Sequence, residues 1–102
     1  MVRRPKMPRV IRWPFGWTVR VVYKTSRQLA KIGFGSTHGV WLGDQRTIYV
    51  NSDDHIGDQA ETIAHEMQHA SVDFRHFVDQ EVRVPLLRES AASAVELVDE
   101  DE

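Results

Sequence analysis

The apolar positions of this chain change period along its length. "WTVRVVYK", residues 17–24, is rich in β-branched and aromatic side chains and reads as a strand. "SRQLAKIG", residues 26–33, predicts a short helical turn closed by Gly33. "THGVWL" and "RTIYVN" flank "GDQ" and predict a β-hairpin from about Thr37 to Asn51. After the hairpin, Ala60, Ile63, Ala64, Met67, Ala70 and Phe74 recur at helical spacing. Asp58 with Glu61 three residues later fits a capping box, so the helix should begin near Asp58 and run to about Asp73 or His76. "VDQEVRVP" then reads as a connection ending at Pro85, where a second, C-terminal helix can start. Leu86, Leu87, Ala91, Ala94, Val95 and Val98 would form its apolar face.

This order predicts an α+β fold: a small antiparallel or mixed sheet, with its hairpin packed on the first long helix and a second helix at the C-terminal end. A chain of 102 residues that is 41% hydrophobic suits one domain spanning 1–102 with one modest core. Residues 1–16 hold three of the four prolines among basic residues and are expected to form a loosely structured arm. The acidic tail at 99–102, "DEDE", should be solvated.

Composition narrows the chemistry. There is no cysteine, so any metal must be held by histidine and carboxylate. No apolar run approaches the ~20 residues of a membrane span, and the N-terminus lacks a secretory pattern, so a soluble cytoplasmic protein is expected. The net charge of −2 conceals an asymmetry: residues 1–43 carry nine Lys or Arg and no acid, whereas all fifteen acids follow. That split either neutralises itself in the folded domain or gives the N-terminal half a surface for nucleic acid or another acidic partner. No helix-turn-helix or RNA-binding motif accompanies it.

The most informative stretch is "AETIAHEMQHAS", residues 60–71, in which His65, Glu66 and His69 form HExxH. Residues four apart lie one turn apart on the same helix face, with about 6 Å between side-chain origins. Two imidazoles so placed can each bring a nitrogen to about 2.0 Å from one zinc ion. Glu66 lies about 100° round the helix from His65. From there its carboxylate can take a proton from a zinc-activated water and return it to a leaving amine. With five histidines and seven glutamates, chance places HExxH in roughly one or two such chains per hundred, but without the helix around it.

A catalytic zinc site wants three protein ligands and an open position. Glu89, 20 residues beyond His69 on the predicted second helix, can complete a His-His-Glu set if that helix folds back. Its plain alternative is one more surface acid. Glu81, in the predicted connection, is the main rival; Asp73, His76 and Glu96 are weaker ones. Donors for a developing oxyanion could come from His38, Tyr49, His55, His76 or Arg83, among which the sequence does not choose. Trp13, Trp17 and Trp41 are expected in the core or anchoring the arm rather than in a groove.

On these residues the chain resembles the zincin metallopeptidases, with Glu89 at the distance seen in their gluzincin branch. The order "GVWLGDQRTIYVNSDD…AETIAHEMQHA" is similar to the small phage and bacterial ImmA/IrrE-type and SprT-like metallopeptidases. The similarity covers about residues 36–98. It implies a minimal zincin-like domain, zinc ligands His65, His69 and Glu89, general base Glu66, and a protein or peptide substrate held along an edge strand at 46–51. Val72 stands where the metzincin branch has its turn glycine. The function expected is a zinc-dependent endopeptidase. The alternatives are a non-catalytic zinc-stapled binding or regulatory module, and a protease positioned on nucleic acid by its basic half.

Overall fold

Alternation in the first strand pair sorts the chain onto two sides of a sheet. The computed structural model describes residues 7–81 and the backbone of residues 96–98. β1 (Val10–Arg12) and β2 (Thr18–Lys24) pair antiparallel, with Ile11 opposite Val19. β3 (Gly39–Leu42) and β4 (Thr47–Asn51) form the expected hairpin, and β4 lies parallel to β2 with Ile48 opposite Val21. Since paired residues share a face, Ile11, Val19, Val21, Ile48 and Val50 all point to one side. All five are buried there. Arg12, Arg20, Lys24 and Tyr49 fall on the other face by the same register.

α2 (Ile56–Glu81) covers the apolar face. Ile63, Ala70, Phe74 and Val78 are buried, and Met67 and Phe77 pack beside them. Those positions recur every three or four residues, which is the apolar stripe a helix needs to lie on a sheet. α1 (Ser26–Lys31) opens with a capping box between Thr25 and Gln28. It ends as expected at Gly33, whose φ of 92° suits glycine. The architecture is α+β, as predicted, with strand order β3-β4-β2-β1-β5.

Four expectations are corrected. Residues 7–16 are not a loose arm. Ile11 and Trp13 are buried in the core, and "WPFGW" is a tight reversal in which the Trp13 amide donates to the Trp17 carbonyl. Phe15 and Gly16 adopt left-handed backbone there. Second, α2 begins two residues before Asp58 and continues to Glu81, because Phe77 and Val78 prolong its apolar stripe. Its start is closed by His55, whose Nδ1 accepts from the Gly57 amide at 3.2 Å, rather than by the Asp58–Glu61 box.

Third, β4 is not an edge strand, since β2 and β3 occupy both its sides; the edge on that side of the sheet is β3. Fourth, Glu96–Val98 form a strand, β5, against β1, so the predicted second helix does not reach Glu96, Leu97 or Val98. The rest of that helix, Glu89 included, lies outside the described residues. No helix among the described residues is long and apolar enough to cross a membrane.

Candidate functional site

The site is built where α2 passes the edge of the sheet. Gly39, the first residue of β3, lies directly against the helix. A Cβ at this position would overlap Thr62 Cγ2 and come within 2.8 Å of the Tyr49 carbonyl oxygen. Only glycine therefore lets the helix approach the β3 end closely, one turn before His65. The end of β4 is held by Asn51, which is 6% exposed. Its Nδ2 donates to Ser26 Oγ at 2.9 Å and to the Thr37 carbonyl at 3.2 Å, while its Oδ1 accepts from the Asp53 amide. The Asn51 amide donates in turn to the His38 carbonyl at 2.8 Å. Asn51 thereby fixes the Thr37–His38 segment beside α2.

Between that segment and the helix lies an open cavity of about 670 Å³. Thr37, His38 and Gly39 line one wall, and Asp58, Glu61, Thr62, His65 and Glu66 line the other. His65 and His69 are exposed, with ring centroids 5.3 Å apart. Ligand atoms of His65, Glu66 and His69 all lie within 4.8 Å of one another, so this group could hold a metal ion. Glu66 is different: it falls on the buried stripe and is 6% exposed, yet it lines the cavity. Its carboxylate therefore meets the cavity from a residue otherwise enclosed by the core, where a ligand in the cavity could reach it.

The structure also sorts the rival ligands. α2 is continuous, so Glu81, twelve residues past His69, lies about 18 Å further along its axis. His76 lies about 10 Å along it. Asp73 accepts a hydrogen bond from Trp41 Nε1 at 2.8 Å. Glu96 belongs to β5, at the opposite edge of the sheet from β3. Among the described residues no further histidine or carboxylate joins the cluster, and Glu89 is outside them.

Of the five oxyanion donors considered, His38 alone among the described ones lines the cavity. Tyr49 packs on Phe34 across the sheet, His55 closes α2, His76 is remote, and Arg83 is not among the described residues. His38 Nδ1 is 2.8 Å from Asp54 Oδ2. This hydrogen bond, and then the Asp54 charge with a smaller contribution from Asp58, raises the His38 pKa above the ordinary histidine value. A raised histidine pKa contributes stability that is present at low pH and disappears as pH rises through the raised value.

Sequence reasoning missed this pairing because Asp54 sits in a loop without a periodic signal. It also read Asp58 and Glu61 only as helix-starting residues, whereas both line the cavity. No protein-family model, no characterised protein and no solved structure matches this chain, so the cluster that could bind a metal is what remains of the likeness to zincins.

Proposed function

We propose that the chain is a zinc-dependent endopeptidase. The reading rests on Glu66, a buried carboxylate opening into the cavity between two histidines that can share a metal. His65 and His69 would hold the ion, with Glu89 as third ligand. When bound, zinc would supply Lewis acidity, polarising the peptide carbonyl and acidifying a water molecule. Glu66 would take a proton from the water as its oxygen adds to the carbonyl carbon, and would return it to the amine nitrogen as the C–N bond breaks. β3, a sheet edge among the described residues, borders the cavity at Gly39, and an extended peptide could add along it as a further strand.

His38 completes the set as donor to the developing oxyanion. Its Nδ1–H is committed to Asp54, so Nε2 carries a proton only in the charged form of the ring. Activity should therefore fall as pH rises through the raised His38 value. Asp54→Asn should move that alkaline limb to lower pH, with Asp58, Glu61 and Glu66 the remaining carboxylates on the facing wall. A pH profile of kcat/KM that does not move in Asp54→Asn removes His38 from this role.

Metal analysis joined to a peptide-cleavage assay tests the whole reading. The purified chain should hold one zinc, lose hydrolysis on chelation, and regain it on return of the metal. If chelation unfolds the chain and the zinc form cuts nothing, the ion is a structural staple instead.

A further inference from the structure

The cavity extends well past His65, toward the start of α2. Along α2 its wall runs back from His65 through Thr62 and Glu61 to Asp58. At 1.5 Å rise per residue, Glu61 lies about 6 Å and Asp58 about 10 Å from His65 along the helix axis. Both carboxylates are exposed to the cavity, and no lysine or arginine lines it. Its basic side chains are the imidazoles of His38 and His65, and His38 is already paired with Asp54 at 2.8 Å. This part of the wall is therefore net negative. Glu66, more than nine-tenths buried, opens into the same space and adds a third carboxylate to it.

An extended peptide advances about 3.3 Å per residue. One anchored with its scissile bond at the histidines passes Glu61 after about two residues and Asp58 after about three. We infer that the cleft selects peptides carrying lysine or arginine two to three residues from the bond that is cut, through Glu61 and Asp58. The inference rests on the hydrolase reading above and names its substrate class. Neither residue is a metal ligand or the base in that reading, although Asp58 adds slightly to the raised His38 pKa. Asp58 at the start of α2 also suits the helix dipole, which a substitution would weaken only slightly.

An equimolar library of blocked decapeptides, read by mass spectrometry, gives the preference at each position around the cleaved bond. The zinc-loaded chain should favour Lys or Arg over Ala by about tenfold at a position two or three residues away, as expected for two partly screened charge pairs. In Asp58→Asn/Glu61→Gln the ratio should collapse toward one, with circular dichroism confirming the fold. Equal cleavage of Lys, Ala and Glu peptides overturns the inference, as does a Lys preference that survives in the double variant.

A second readout does not need turnover. Binding of fluorescein-labelled Lys-bearing and Ala-bearing decapeptides to Glu66→Gln is followed by anisotropy at low and high salt. The Lys peptide should bind more tightly, by a margin that salt and the double substitution both erase. If no library member is cut by the zinc-loaded chain, the hydrolase reading fails, and the binding comparison alone decides whether the acidic wall selects cations.

Discussion

Glu66→Gln should slow peptide hydrolysis by about 10²–10⁴-fold, the usual contribution of a positioned general base. Zinc content should stay at the parent level. Glutamine keeps the size and most of the polarity of glutamate, so the buried stripe between Ile63 and Ala70 should be undisturbed. No hydrogen bond to another described residue is lost with the carboxylate, and the amide removes an acid from the wall of an open cavity. The variant should therefore melt at the parent temperature or above it. That combination separates chemistry from structure: a packing residue would lose stability when changed, whereas a base loses turnover alone. Cleavage at the parent rate in Glu66→Gln would refute the mechanism.

Phe74→Ala carries the largest expected cost to the fold. Phe74 is 3% exposed, with ring centroids 5.4 Å from Trp17, 6.3 Å from Trp13 and 6.2 Å from Phe77. Truncating a phenylalanine so enclosed costs about 3–5 kcal/mol through lost burial and the cavity left behind. A domain of this size is held by only ~5–15 kcal/mol, so the loss takes a large share of it. Urea denaturation should show the midpoint falling steeply. Val72→Ala, two residues away but 47% exposed, should stay within about 0.5 kcal/mol of the parent. A loss below ~1 kcal/mol in Phe74→Ala would mean that α2 does not lie on the tryptophan pair.

Several parts of this molecule were legible before any coordinates. β-Branched and aromatic composition located β2, and the two runs flanking "GDQ" located the hairpin, since such side chains suit a pleated, half-buried surface. Period 3.6 located α2 and put His65 and His69 one turn apart on it. The limits of α2 were less legible. "VDQE" looks polar enough to be a connection, yet Phe77 and Val78 find apolar cover on the sheet, so the helix continues through it. "WPFGW" contained the signal of a turn in its proline and glycine. Its basic, proline-rich surroundings argued for an arm, until pairing of Ile11 with Val19 made burial of Trp13 and Trp17 possible.

By itself the sequence determined the α+β class, the HExxH helix and the absence of thiolate ligands, because local periodicity and residue chemistry settle those. Strand order is a matter of long-range pairing, and only the tertiary structure decided it. Pairing β4 between β2 and β3 moved the free edge to β3. The same packing brought Gly39 against Thr62, set His38 on Asp54, and turned Asp58 and Glu61 from helix-starting residues into the wall of a cavity. None of these contacts is encoded in spacing along the chain. Each depends on where an irregular loop is pinned, and here Asn51 pins it through hydrogen bonds to Ser26 and Thr37, whose positions no period predicts.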